Sequence, residues 1–257
     1  MNLRAAPRAA YRRAPWVFSL GAGLAAWEAV GILRPGIPIP PPSAVMVALV
    51  ELVREGYLAE HAGRTVLHLV AGLALALAAG LGVGVLMGRS RRAEYFLDLY
   101  LNLFLAAPMA ALVPIMILVF GLRPSGIVAT VFLFTFFGLA VNTYTGVRDA
   151  NPRLVEMARS FGAGEGMLLR RVILPGALPL ILGGVRQAVG RAFNGVILGE
   201  MLISTVGMGG LLMQFGGQFR IDLVLALLVV VVGTSALAVG AVERLERRVH
   251  RRLGGAG

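Results

Sequence analysis

Residues 151–179 read NPRLVEMARSFGAGEGMLLRRVILPGALP and form the one long polar interval in the second half of an apolar chain. Asn151 is a good helix N-cap and Pro152 is well tolerated at a first helical position, so the sequence predicts that a helix starts here. Its apolar and charged residues fall on opposite faces at helical spacing. Glycines from Gly162 onward then end the helix in a bend. The pattern predicts two short amphipathic helices, between membrane spans, that offer a surface to the aqueous phase.

The composition is typical of a membrane protein. Of the 257 residues, 58% are hydrophobic and 14% are charged, and several apolar runs approach the ~20 residues that cross a bilayer as a helix. The absence of cysteine excludes disulfides and thiolate sites. Because all 24 cationic residues are arginine, the chain lacks the lysine of a phosphate-binding loop. If ATP drives this protein, another chain binds the ATP. We expect no catalytic residue, no metal and no cofactor.

An all-α membrane fold with six transmembrane helices is predicted. The apolar runs that define them are residues 15–33, 65–87, 97–120, 127–147, 180–204 and 222–241. The predicted division is an N-terminal tail (1–14), one transmembrane domain (15–242) that contains the interval 148–179, and a basic C-terminal tail (243–257). The first run is also similar to a signal peptide, but Trp27 and Glu28 interrupt the cleavage position, which favours a retained span.

Three features between and within the spans carry local predictions. Residues 34–44 form a proline-rich extended connector, and Ser43 is expected to cap a charged helix over residues 45–61 that lies at the membrane surface. Glycines at every fourth position from Gly80 to Gly88 predict a close helix contact. Pro108 and Pro114 predict a kink in the third span.

The arginines predict the orientation in the membrane. Six spans put both termini on one side, and 17 of the 24 arginines fall on that side, in the two tails and in the loops around residues 89–92 and 148–179. By the positive-inside rule this side is cytoplasmic. Such placement at the ends of apolar runs also explains the net charge of +11 better than nucleic-acid binding does. We therefore expect a multi-pass membrane protein with both termini in the cytoplasm.

The polar interval resembles a known signature. Glu156, Met157 and Ala158, followed by Gly162 and then by Val172, Leu174 and Pro175, are similar to the EAA loop of membrane subunits of bacterial ABC importers. Met157 and Val172 depart from that pattern but stay apolar. Together with PMAALVPIMILVFG (108–121), GVR (184–186) and GEML (199–202), the loop resembles permeases of the nitrate, sulfonate, taurine and bicarbonate type.

The resemblance implies a type I ABC-importer architecture with cytoplasmic coupling helices, located in a bacterial inner membrane. Two permease copies, as a homodimer, would pair with two ATP-binding subunits and a soluble binding protein that delivers the solute. The helix 153–161 would dock on the ATPase, with Glu156 directed at an arginine there and Gly162 as the elbow. The implied coupling residues are Leu154, Glu156, Met157, Ala158, Phe161, Gly162, Leu174 and Pro175.

Several functions stay open at this stage. An anion such as nitrate, a sulfonate or taurine is the favoured solute, and a vitamin precursor such as a pyrimidine or riboflavin is the alternative. A secondary transporter is a further alternative, but it would not need a docking loop and often shows inverted repeats. An intramembrane hydrolase is disfavoured, because none of the three histidines lies beside a serine motif or a metal-ligand cluster.

A polar stripe marks the fifth span. Gln187, Arg191 and Asn194 stand at i, i+4 and i+7, and Arg191 lies ~16 Å from Leu180, near the middle of a ~30 Å apolar core. One hypothesis is that the stripe lines the translocation path and favours an anionic solute. The other, slightly preferred, is that Arg191 forms a structural pair with Glu28 or Glu200. His68, Met208, Met213 and Phe215 are predicted to be packing residues.

Overall fold

A computed structural model describes residues 15–33, 39–204 and 206–252, and these residues are entirely helical apart from their connections. Predictions for residues 1–14, 34–38, 205 and 253–257 lie outside them. The helices are α1 Pro15–Leu33, α2 Pro42–Arg54, α3 Tyr57–Arg89, α4 Arg91–Ala106, α5 Val113–Phe120, α6 Pro124–Arg148, α7 Pro152–Ser160, α8 Glu165–Leu168, α9 Leu174–Ile203, α10 Met208–Gly217 and α11 Ile221–Arg252. A 3₁₀ turn, Met109–Leu112, precedes α5, and a π-helical turn, Leu169–Ile173, joins α8 to α9.

The described helices confirm the six-span prediction in part. Four segments are long and apolar enough to cross a membrane: Leu58–Arg89, Pro124–Arg148, Glu165–Ile203 and Ile221–Val249. The pair formed by α4 and α5 gives a fifth if the two count as one broken span, and α1 is a shorter apolar helix. The helix α11 runs through the predicted boundary at residue 242 and continues to Arg252.

The helix α6 is the centre of the bundle, packed between α3 and α9. The predicted glycine ridge on α3 makes this contact possible. A Cβ at Gly84 would lie 2.5 Å from Thr143 Cβ, and one at Gly88 would lie 2.5 Å from Val147 Cγ1. Distances this short leave no room for a side chain, so the glycines set the separation of α3 and α6.

The prediction of one kinked span over residues 97–120 is wrong in its geometry. The chain turns by 102° between α4 and the segment 109–120. Ala107 is extended, with φ −70° and ψ 140°, as expected for a residue that precedes a proline. Pro108 then caps the 3₁₀ turn and Pro114 lies in the first turn of α5. Two prolines near helix starts have separated the span into two helices.

The predicted surface helix over residues 45–61 is also wrong in its extent. The helix α2 ends at Arg54, and Gly56, at φ 76°, precedes the first residue of α3. Residues 57–61 therefore belong to the long helix α3. Ser43 does not cap α2, because its N–H and Oγ donate to the two carboxylate oxygens of Glu28, at 3.0 and 2.6 Å. These bonds tie α1 to α2.

Candidate functional site

The helix α7 begins and ends where the sequence predicts. Asn151 accepts a hydrogen bond from the Arg153 N–H at 3.0 Å, and Pro152 is the first helical residue. At the other end Gly162 adopts φ 80°, its N–H donates to the Arg159 carbonyl at 2.8 Å, and the Ala163 N–H donates to the Ala158 carbonyl at 3.0 Å. This is a Schellman motif, which requires a residue that tolerates positive φ. The predicted glycine elbow is confirmed.

Two faces of α7 have different surroundings. Val155 and Ala158 are half-buried and pack against an apolar cluster around Ile173, which also includes Leu174 at the start of α9. Leu154, Met157 and Phe161 point away from the bundle and are 47%, 53% and 86% exposed. Glu156 is exposed as well. Of the predicted docking residues, Ala158 therefore lies on the inner face, while three large apolar side chains remain available to a partner.

Ion pairs hold the α7–α8 connection to the end of α3. Glu165 of α8 pairs with Arg159 of α7 at 3.0 Å and with Arg89, the last residue of α3. These charges are partly exposed, so each pair alone stabilises little. Their arrangement nevertheless links α7 and α8 to the last residue of the membrane-length helix α3.

The polar stripe of α9 faces a groove between α6, α9 and α11. Gln187, Arg191 and Asn194 all line one cavity of about 770 Å³. Beside it Asn142 of α6 donates to the Gly138 carbonyl at 2.7 Å and to Gln187 Oε1 at 3.4 Å. The structure therefore brings the three predicted residues together and adds Asn142 to them.

Arg191 lies across α6 at a position where that helix has no side chain. A Cβ at Gly138 would be 2.8 Å from Arg191 Nη1, so the glycine makes the space that the guanidinium occupies. Arg186, one turn earlier, lies 3.5 Å from the Glu246 carboxylate of α11. Arg191 itself forms no ion pair with any residue that the structure describes.

The preferred structural pairing of Arg191 is wrong. Glu28 is bound to Ser43. Glu200 is fully buried and its carboxylate lies 2.8 Å from Thr65 Oγ1, 3.0 Å from His68 Nδ1 and 3.1 Å from the Gly209 N–H, which donates to it. Both carboxylates are therefore committed elsewhere.

The Glu200 cluster was not predicted. It joins the end of α9 to α3 and to the start of α10, and it confirms His68 as a satisfied packing histidine. The Met208 N–H donates to Thr65 Oγ1 at 2.9 Å, and Gly207, at φ 97°, lies so close that a Cβ there would be 2.3 Å from Glu200 Cδ. An ionisable residue inside an apolar run was the available signal, since such residues need a partner in the membrane.

A second charged cluster lies at the connection between α10 and α11. Arg220 contacts Asp222 at 3.0 Å and Glu51 of α2 at 3.3 Å. The hydrogen bond to Asp222, the negative charge of Asp222 and the contact with Glu51 raise the pKa of Arg220, which favours its charged form. The predicted packing residues Met208 and Phe215 of α10 are buried nearby, whereas Met213 is half exposed.

Comparison with known proteins supports the interpretation of these features. Residues 66–251 match the model of the family described as binding-protein-dependent transport system inner membrane component. The chain belongs to this family. It is an ABC importer permease subunit and a transporter, not an enzyme. Membership implies ATP-binding subunits and a binding protein as partners, and a multi-pass location in the membrane.

Similar proteins carry related names. This permease is 34% identical over 239 residues, 92% of its own length and 90% of the relative's, to SsuC of Escherichia coli (strain K12), which is assigned to aliphatic sulfonates transport. It is 30% identical to SsuC of Bacillus subtilis (strain 168), over 88% and 83% of the two chains. It is 28% identical to the taurine transport system permease TauC of Escherichia coli (strain K12), over 88% and 85%.

Two solved structures share its fold. A chain of the MetNI methionine ABC transporter in an inward-facing conformation superposes with a TM-score of 0.65 at 19% identity, covering 76% of this permease and 97% of that chain. A chain of an amino acid ABC transporter matches with a TM-score of 0.61 at 15% identity, covering 79% and 98%. At these identities the likeness concerns the fold alone.

Proposed function

We propose that the groove along α9 is half of a translocation path for a small organic anion, and that Arg191 is its anion-binding group. The observation that carries the proposal is that the Arg191 guanidinium forms no ion pair with any described residue. Arg191 lies 12 residues, or about 18 Å, before the end of α9 at Ile203. A permanent charge at such depth needs an acid, water or a ligand beside it. Glu246 lines the same groove, but it pairs with Arg186.

Neutral polar groups beside Arg191 support transient binding. Gln187 and Asn194 on the same face of α9, and Asn142 on α6, can donate to or accept from a bound solute. They add directional hydrogen bonds without further fixed charge, and the groove is open to water, which weakens the attraction of Arg191 for an anion. This combination favours binding that is selective for anions and still reversible.

The proposed assembly follows from the open side of the groove. A polar groove cannot face lipid, so a second copy of the permease would close it, which supports the homodimer. The cytoplasmic placement of both termini and of α7 rests on the arginine distribution. In this arrangement Leu154, Met157, Phe161 and Glu156 would contact an ATP-binding subunit, and its movement would open the path to alternate sides.

The solute is proposed to carry a sulfonate or a similar oxyanion. A guanidinium donates two parallel hydrogen bonds to such a group, which an uncharged pyrimidine or riboflavin cannot use in the same way. The names of SsuC and TauC concern aliphatic sulfonates and taurine. The unpaired Arg191 therefore favours an anion over the vitamin-precursor alternative.

Substitution of Arg191 tests this proposal. In proteoliposomes that contain the permease, its ATPase and its binding protein, Arg191→Gln is expected to reduce uptake of radiolabelled taurine or butanesulfonate about 10- to 100-fold, because a charge-assisted hydrogen bond contributes roughly 1.5–3 kcal/mol. Arg191→Lys should retain part of the uptake. The control is Arg64→Gln, which removes an exposed arginine of α3 whose one ion pair among the described residues is with Glu60. Unchanged anion uptake by Arg191→Gln at equal expression would refute the role of Arg191.

A further inference from the structure

We infer that the groove has a second, apolar compartment that makes the permease itself selective for anions with an aliphatic chain. This inference rests on the proposed anion path. The second cavity is about 620 Å³ and shares Asn194 and Val239 with the first, so the two are adjacent.

One face of α9 changes character at Asn194. Residues at positions 187, 191, 194, 198 and 201 follow one another at alternating spacings of four and three, which places them on a single helical face. The first three are polar, and Leu198 and Met201 are apolar. From Arg191 to Met201 this face extends about 15 Å along the helix.

The walls of the second compartment are apolar on all three helices. Phe134 comes from α6, Phe193 and Ile197 from α9, and Leu228 from α11. None of the described residues that line this compartment is charged, and only Asn194 and Ser235 are polar. The first compartment, in contrast, contains Arg191, Arg186 and Glu246.

A solute with a charged head and an apolar chain matches both compartments at once. Its sulfonate would bind Arg191 while its chain lies against Leu198 and Phe193, away from water. Each methylene buried there is expected to increase affinity by up to about fourfold, the value for complete transfer from water. Nitrate would use only the first compartment. A lipid acyl chain is the competing occupant of the apolar walls.

The test measures the dependence of binding on chain length without the binding protein. We measure binding to the permease–ATPase complex in nanodiscs of three radiolabelled probes, methanesulfonate, butanesulfonate and octanesulfonate. The signal bound to empty nanodiscs is subtracted. Affinity should increase with chain length in the native protein. Ala236→Phe, which fills the second compartment, should flatten that dependence and leave methanesulfonate binding unchanged. Leu237→Phe, at a position of α11 that is 73% exposed and outside both cavities, is the matched control.

Leu198→Gln provides a second variant on α9, in case the phenylalanine disturbs folding. We expect Leu198→Gln to lower the affinity for octanesulfonate by a factor at least ten times larger than the factor by which it lowers the affinity for methanesulfonate. The inference is overturned if methanesulfonate binds through Arg191 but affinity does not increase with chain length, or if the dependence persists in both Ala236→Phe and Leu198→Gln. If the dependence on chain length persists in Arg191→Gln, it arises from partition of the probes into lipid. This result also overturns the inference. If no probe depends on Arg191, the proposed function itself fails.

Discussion

Glu200→Ala is expected to reduce the stability of the permease by about 3–5 kcal/mol, because each buried polar group that loses its hydrogen-bond partner costs about 1–3 kcal/mol. Glu200 is fully buried and holds Thr65, His68 and the Gly209 N–H. His68 and the Gly209 N–H lose this partner in the variant, whereas the Thr65 hydroxyl can still donate to the His61 carbonyl at 3.1 Å. A buried donor left unsatisfied is costly. In a protein of this size the midpoint of thermal unfolding should fall by about 10 °C.

The measurement is thermal unfolding of the purified permease in detergent. Glu200→Gln keeps the shape and part of the hydrogen bonding, so it should lose less stability than Glu200→Ala. The control is Glu60→Ala, which removes a glutamate that is 68% exposed and paired with Arg64, and which should cost less than about 1 kcal/mol. Equal unfolding midpoints for Glu200→Ala and Glu60→Ala would show that the cluster does not hold α3, α9 and α10 together.

Phe161→Ala is expected to weaken binding of the ATP-binding subunit by about 30-fold or more. Phe161 is 86% exposed beside Leu154 and Met157, and an aromatic side chain at the centre of an interface commonly contributes 2 kcal/mol or more. Because the side chain makes little contact within its own chain, the thermal stability of the permease should not change. Loss of binding with unchanged stability is the signature of a docking residue.

Co-purification with the ATP-binding subunit and a binding titration in detergent measure this effect. Tyr95→Ala is the matched control, since Tyr95 is an aromatic residue that is 90% exposed but lies on α4. Gly162→Pro should abolish binding through another route, because proline cannot adopt φ 80° and lacks the N–H that donates to Arg159. If Phe161→Ala and Tyr95→Ala bind the ATPase equally, α7 is not the docking helix.

The ends of α7 could be predicted because their signals are local. Asn151, Pro152 and Gly162 act on their own backbone and on the next few residues, so their effects do not depend on the rest of the fold. The same is true of the glycine ridge on α3, where spacing alone places small residues on one face. In both cases the sequence contains the whole physical cause.

That Arg191 forms no ion pair with a described residue could not be predicted, because its surroundings depend on how three helices are rotated relative to one another. Residue counting gives the depth of Arg191 along α9, but no pattern in the sequence shows that Glu28 and Glu200 bind other residues. The structure shows that Ser43 and His68 hold them. Likewise, Pro108 predicts a bend but not its size, since the angle of 102° depends on the contacts of both halves.

The most direct test of the central claim is solute uptake by proteoliposomes that contain the permease with its ATP-binding subunit, with the binding protein outside. The probe is whichever of nitrate, taurine and butanesulfonate the binding protein binds. Our account predicts that uptake requires ATP and both partners, and that it is lost in Phe161→Ala but retained in Tyr95→Ala. Uptake by the permease alone, driven by an ion gradient and unaffected by Phe161→Ala, would contradict it and indicate a secondary transporter.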